Sequence, residues 1–484
     1  MNTILLIPTG EGVGLTSACL GMIYALDCKG INAGFLKPFS QIADTTVDRT
    51  TTLYRHLFHR RSVEPIAYER LTQLIALGET DELLEEAVAL HRQIAVDHDV
   101  IIVEGLVPNG QDHFASEINA ALAQALDAQV VLVSTADLAD PRKTAEKVDA
   151  HLRQFGGAAS PRTTGVLFMR TKGLPDGTAE IPVTLDPSLR LDQQIAEFSL
   201  ELQRYNRFMG TDELPIIGLV PFSNILSVPR SLDIAQIVNG TWLHQGEAKQ
   251  RRILHTSLIA SNIESELHKF IAGELIISAS QRTDTLLAAS LASSNGTPLA
   301  GLVLTEQAPP SDNVLEFCQS AIKQGLPILH TSLDTLETAQ RLNRFGNEIP
   351  IDDIERAEQV TRFVSSHIDN NWLDQHTQNN LHPRLSPSAF RYELVQKAIA
   401  AKKRIVLPEG DEPRTVQAAV ICQTRGIAQC ILLAKPESVA EVAKARGIQL
   451  PADLQIIDPD SIRDQYIEPM VELRRGKLDA LQAK

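Results

Sequence analysis

The feature that most narrows the choice of fold lies at the start of the chain. An apolar run, Thr3 to Ile7, passes directly into Pro8-Thr9-Gly10-Glu11-Gly12-Val13-Gly14-Leu15-Thr16-Ser17 and then into an apolar helix, Ala18 to Leu26. Glycines let successive backbone N–H groups face one way, and the N-terminus of the following helix adds partial positive charge. A strand, a glycine loop and a helix in that order predict a parallel sheet with a phosphate-holding turn at its carboxyl edge. The opening run lacks a charged leader and is cut by Pro8, so it reads as a first strand rather than a signal peptide.

Further apolar runs extend the pattern. Gly34-Phe35-Leu36 ends in Lys37-Pro38, Val100 to Val103 ends in Glu104-Gly105, and Val130 to Val133 and Val166 to Phe168 read as buried strands. Leu71 to Val96 reads as helical, with Asp81 to Glu86 on a solvated face. Lys172 to Gln194, rich in Pro, Gly and Asp, reads as a surface excursion. The spacing Gly10, Gly12, Gly14, Thr16, Ser17 is that of a P-loop, but Leu15 stands where GxxxxGK[ST] requires the lysine that reaches the β and γ phosphates. Phosphoryl transfer thereby loses a main source of charge neutralisation. Nucleotide binding without hydrolysis and a purely structural loop both stay open. Lys37, Asp48 and Glu104 are expected to converge near the glycines, either as ligand-handling groups or simply as an ion pair across a polar turn. This region resembles the dethiobiotin synthetase branch of P-loop proteins, in which a strand-end Lys-Pro, a downstream Asp and a Val-Glu-Gly turn handle phosphate and magnesium.

Leu214 to Pro221 reads as the strand that opens a second α/β domain, continued by Ile276-Ile277-Ser278, Gly301 to Leu304 and Leu326 to Leu329. Ser278 to Asp284 joins a strand to the helix Thr285 to Ser293. That loop resembles the signature of the DRTGG domain, with Gln281 in place of its leading Asp and no Gly-Gly after it. Arg282 is the candidate there for an anionic effector; the alternative is a helix capped by Thr283 or Asp284 beside an exposed arginine. Ile349 to Phe363 reads as an amphipathic connecting helix. Ser365 to Ser388, with Asn370-Asn371 and Asn379-Asn380, reads as a linker in which His367, His376 and His382 are exposed.

Near the end, Arg404-Ile405-Val406-Leu407 leads into Pro408-Glu409-Gly410-Asp411-Glu412-Pro413-Arg414-Thr415. The pattern predicts a buried strand, a turn at Gly410, a helix capped by Asp411, and a loop from Pro408 to Arg414 on the ligand side of a parallel sheet. With Phe390 to Leu394, Arg425 to Ala428 and Glu472 to Arg475, this stretch resembles the opening of the catalytic module of phosphate acetyltransferases, in the long bacterial form. The resemblance implies reversible acetyl transfer between coenzyme A and inorganic phosphate to give acetyl phosphate, with Glu409, Gly410, Asp411 and Arg414 as substrate-loop candidates. The module of that family continues past the point matching Lys484, so the catalytic residues are expected beyond it and this chain is expected to hold only the module's start. Front domains in the family tune activity and help subunits associate, which implies a homo-oligomer.

The expected architecture is α/β throughout: a P-loop-like parallel sheet domain (1–214), a small DRTGG-like domain (215–335), a connecting helix and linker (336–389), and the first βα units of a Rossmann-like three-layer transferase domain (390–484). A formal charge of −15 disfavours nucleic acid. No window approaches the roughly 18 apolar residues that a membrane span needs. Cys19, Cys28, Cys318, Cys422 and Cys430 form no CxxC pair, as suits reduced cytoplasmic thiols and argues against a metal site. The expected small molecules are acetyl-CoA, coenzyme A, phosphate and metabolite effectors, with no tightly bound cofactor. Two rivals remain: a non-catalytic regulatory or assembly fragment, and an ATP-dependent ligase of the dethiobiotin synthetase type.

Overall fold

The computed structural model describes the chain except Met1 and residues 44–46, 111–112, 158–159, 161, 175–186, 307, 344–347, 379–385, 475–476, 478 and 480–484. Most of the expected surface excursion after Lys172, together with Asn379, Asn380 and His382, lies outside the described residues. Two compact units are present, one of residues 1–70, 93–123 and 128–382, the other of 71–92, 124–127 and 383–484. Helices and parallel sheets alternate in both, as the sequence predicts.

The first unit holds two sheets. Six parallel strands, β1 (Asn2–Pro8), β2 (Ala33–Leu36), β3 (Val100–Glu104), β4 (Gln129–Asp137), β5 (Thr163–Lys172) and β6 (Ile216–Pro221), lie in the order β2-β3-β1-β4-β5-β6. β1 sits inside this sheet and is buried along its whole length, as a strand covered on both faces must be. β6 corrects the domain boundary expected after residue 214. Val166 pairs with Ile216 and Phe168 with Leu219, so the strand read as opening a second domain closes the first sheet.

The expected linker is corrected as well. A helix, Asn370–Gln378, carries Trp372 and Leu373, both buried in the core of this sheet. Trp372 Nε1 donates to the Thr164 carbonyl at 2.8 Å, and the Asp369 amide donates to the Ile217 carbonyl at 2.8 Å. His367 and His376 are therefore part-buried, and burial holds both imidazoles below their usual pKa. The connecting helix is observed at Ile354–Ser365. It packs so closely on the helix Leu15–Cys28 that a Cβ on Gly21 would overlap Val364 Cγ1.

The second sheet runs β7-β11-β10-β9-β8, with β7 (Thr241–His244) antiparallel to β11 (Ile328–His330) and the rest parallel: β8 (His255–Leu258), β9 (Glu274–Ala279) and β10 (Gly301–Thr305). A charge network centred on the buried Arg230 and Asp353 ties this region to the connecting helix. Arg230 meets Asp233 at 2.7 Å and Asp352 at 2.8 Å, while Arg252 donates to Asp353 Oδ1 at 2.8 Å.

In the second unit, β12 (Arg404–Leu407), β13 (Gln429–Leu433) and β14 (Gln455–Ile457) form a parallel sheet in chain order. β12 is not the buried strand that its apolar run predicts: it is an edge strand, with Ile405 43% and Val406 52% exposed. The acidic run from Asp81 departs from expectation in the other direction. Glu85 is buried and receives Arg391 at 3.1 Å and Arg425 at 2.6 Å, and Asp81 receives Arg391 at 2.6 Å. Glu85 thus faces complementary charge, while Asp81 keeps the solvent exposure expected of the run.

Candidate functional site

The glycine loop is anchored before it turns. The Thr9 amide donates to the Val133 carbonyl at 2.9 Å, and its hydroxyl donates to Ser134 Oγ at 2.8 Å. Gly12 and Gly14 adopt φ of 67° and 85°, in the left-handed region where glycine is unstrained. Gly14 is the N-cap of the helix Leu15–Cys28 and, as a glycine, offers its first-turn N–H groups no side-chain cap. Leu15 does not face the loop as a lysine would. It is buried in the core, so an apolar anchor has replaced the phosphate-binding cation.

The expected convergence of Lys37, Asp48 and Glu104 is present. Lys37 Nζ lies 2.8 Å from Asp48 Oδ2 and 3.1 Å from Glu104 Oε1, and all three side chains are largely buried. Burial alone would favour the neutral amine, but Glu104 and Asp48 outweigh it and hold the Lys37 pKa above the ordinary lysine value. Burial likewise opposes ionisation of Asp48, yet Lys37 and the Thr51 amide keep its carboxyl below the usual range. Thr16 joins the cluster through Thr50: their hydroxyls are 2.9 Å apart, and Thr50 donates to Glu104 Oε1 at 3.3 Å. Thr50 carried no signal in the sequence.

This donor set does not fit the magnesium that the dethiobiotin synthetase resemblance implies. The Lys37 ammonium already lies between the two carboxylates, and Asp48 Oδ1 accepts the Thr51 amide at 2.9 Å. Only Glu104 Oε2 among these carboxylate oxygens is buried without a hydrogen-bond partner. An internal cation stands where an exchangeable one would be needed, so no step is derived through a metal.

Beside Gly14 and Ser17 lies a small cavity lined by Met169, Arg170, Phe222 and Phe363. Arg170 bridges two parts of the site. Its guanidinium donates to the Gly12 carbonyl at 3.1 Å and lies 5.2 Å over the Phe222 ring.

Arg282 is not poised for an anion. Its guanidinium is bidentate to Asp284, at 2.9 and 2.8 Å, and also donates to the Ser261 carbonyl at 2.9 Å. Neither Thr283 nor Asp284 caps the helix Thr283–Ser294.

In the second unit the turn after β12 leaves the carboxyl edge of the sheet as expected. Gly410 is needed for close approach: a Cβ there would lie 2.8 Å from the Leu433 amide nitrogen. The cap is Glu412 rather than Asp411, with the Thr415 amide donating to Glu412 Oε2 at 2.9 Å and Pro413 in the first helical turn. Glu409, Asp411 and Arg414 are left exposed.

Three family models match in succession: an AAA domain over residues 2–230, a DRTGG domain over 233–345, and a phosphate acetyl/butaryl transferase over 389–484. Over all 484 residues the chain is 74% identical to the phosphate acetyltransferase of Acinetobacter baylyi, of which it covers 67%. The chain belongs to the phosphate acetyltransferase family. It is also 41% identical over 479 residues to the phosphate acetyltransferase of Pseudomonas aeruginosa and 36% identical over 483 residues to that of Escherichia coli, covering 66% of each. The chain thus spans about two thirds of the length of these relatives. Within the family's domain order, the glycine loop and Lys37 fall in the AAA match, Arg282 in the DRTGG match, and the turn Pro408–Arg414 in the transferase match. Among the described residues no helix is long and apolar enough to cross a membrane.

Proposed function

We propose that this protein serves the reversible transfer of an acetyl group between coenzyme A and inorganic phosphate, giving acetyl phosphate. The observation that carries the reading is the 74% identity, across the whole chain, to a phosphate acetyltransferase. In that reaction a phosphate oxygen attacks the thioester carbonyl, an oxyanion develops, and the coenzyme A thiolate departs. Such chemistry needs a cationic phosphate pocket, oxyanion donors and a proton relay to the thiol. Within this chain the turn Pro408–Arg414 is the substrate-side element. Arg414 supplies positive charge at the carboxyl edge of β12, Gly410 fixes the close approach to β13, and Glu409 and Asp411 are exposed on the same turn.

The front half serves as a regulatory part in this scheme, with small-molecule effectors bound near the glycine loop and nucleotide hydrolysis disfavoured by the burial of Leu15. Its domains run through β6, then through the second sheet, before the transferase portion begins near residue 389. A cytoplasmic homo-oligomer fits the five free cysteines and the family. The native gene product, incubated with acetyl-CoA and phosphate, is expected to form acetyl phosphate, and Arg414→Ala is expected to raise the KM for an anionic substrate. Absence of acetyl phosphate from the native product would overturn the assignment. An ATPase activity lost in Thr16→Val would favour the ligase instead.

A further inference from the structure

A second cleft, of about 590 Å³, opens at the carboxyl ends of β4 and β5. Lys143 and Lys147 line it from one face of the helix Pro141–Leu152, Arg170 and Lys172 line it from β5, and Gly12 of the glycine loop borders it. On the same helix Arg142 is paired with Glu146 at 2.8 Å, and Arg153, just past its end, is paired with Asp149 at 3.0 Å. The three lysines of the cleft have no carboxylate partner of this kind among the described residues. Lys147 is half-buried and its ammonium donates to Thr135 Oγ1 at 3.2 Å; burial and the nearby Lys143 hold its pKa below the ordinary value.

Each of the two acids in the cleft has one oxygen engaged by a main-chain amide. Asp137 Oδ1 accepts the Ala139 amide at 3.0 Å, and Asp140 Oδ1 accepts the Lys143 amide at 3.0 Å at the helix start. Four cations therefore face two carboxylates, in a chain whose formal charge is −15. Like charges gathered in a concave site repel one another and raise the local concentration of anions. Arg170 and Phe222 also line the small cavity beside Gly14, so the two spaces adjoin at that pair.

We propose that this cleft is a binding site for a phosphorylated small molecule carrying at least two negative charges, held by Lys143, Lys147 and Lys172 with Arg170 at its inner edge. The site is separate from the triad of Lys37, whose ammonium is consumed by Asp48 and Glu104. It does not depend on the acetyl-transfer assignment, so the two can fail independently.

The probe is inorganic pyrophosphate without added divalent cation, titrated calorimetrically into the whole chain at low ionic strength. Binding that weakens with added salt is expected. The paired change Lys143→Gln with Lys147→Gln is expected to weaken it by about tenfold or more, the loss of one or two charge-assisted hydrogen bonds. Lys172→Glu, a reversal of charge at an exposed position, is expected to act in the same direction with an unchanged circular dichroism spectrum. The proposal is overturned if pyrophosphate does not bind, if the lysine variants bind it as the parent does, or if binding is lost only in Thr16→Val, which would place the anion on the glycine loop.

Discussion

Replacing Lys37 by methionine tests the electrostatic account of the glycine-loop site. The change keeps most of the aliphatic stem and removes the ammonium that lies 2.8 Å from Asp48 and 3.1 Å from Glu104. Those two carboxylates are 4% and 5% exposed, so water cannot replace the lost cation without opening the structure. Breaking a buried ion pair by removing one partner costs roughly 3–5 kcal/mol, a large part of a typical domain stability of about 5–15 kcal/mol. The pH dependence has a definite sign. In the parent, the raised Lys37 pKa gives stability that is present below the unfolded lysine value and lost only at strongly alkaline pH. The lowered Asp48 pKa gives stability that is present above the unfolded carboxyl value of 3.8 and lost as pH falls through the folded one. The parent should therefore be flat through this triad from mildly acidic to mildly alkaline pH. In Lys37→Met the carboxylates gain by protonation, so the penalty should shrink between pH 8 and pH 5. Urea unfolding followed by tryptophan fluorescence reads the relevant unit, since both tryptophans, Trp242 and Trp372, lie in it. Adding Asp48→Asn and Glu104→Gln to Lys37→Met should recover most of the loss, because the neutral trio carries no uncompensated charge. A penalty below about 1 kcal/mol, or one identical at pH 5 and pH 8, would refute the reasoning.

Two further outcomes follow from the second unit. Glu85→Ala removes the shared acceptor of Arg391 and Arg425; because those arginines are 38% and 36% exposed and can rehydrate, the expected loss is only about 1–2 kcal/mol by circular dichroism denaturation. Burial pushes the His91 imidazole down to about 4, with Arg92 acting in the same direction, so the unfolded chain binds a proton that the folded one does not as pH falls below 6.5. His91 should then contribute up to about 3 kcal/mol of acid destabilisation between pH 6.5 and pH 4, and His91→Gln should flatten that limb of a stability–pH curve.

The sequence predicts the glycine loop, the strands around it and the meeting of Lys37, Asp48 and Glu104 because each rests on a local signal: an apolar run, a turn residue and a polar residue at the strand end. What it does not predict depends on partners far away in the chain. Nothing in Ile216–Pro221 says which sheet it joins; only pairing with Thr163–Lys172 decides that. The helix Asn370–Gln378 is polar except for Trp372 and Leu373, and two buried side chains are too few to make a readable stripe. Glu85 looked solvated because its arginine partners stand about three hundred positions later. The cap is a different kind of miss. Pro413 marks the first helical position, which places the cap at Glu412, so a stricter use of local rules would have rejected Asp411.

Two changes near the glycine loop act together on where an anion can go. With Leu15 turned into the core, the loop has lost the lysine that would meet a phosphate, and with Lys37 pinned by two carboxylates the nearest remaining ammonium carries no spare charge. A helix N-terminus alone contributes only about half an elementary charge. The cleft bordered by Gly12 holds the opposite balance, four cations against two carboxylates, each with one oxygen accepting a main-chain amide. Long-range attraction scales with net charge, so a dianion entering from solvent is drawn to the lysines of the helix Pro141–Leu152 and not to the triad. The same balance makes added salt diagnostic: screening should weaken binding in the exposed cleft, while the buried contacts of Lys37 should change little.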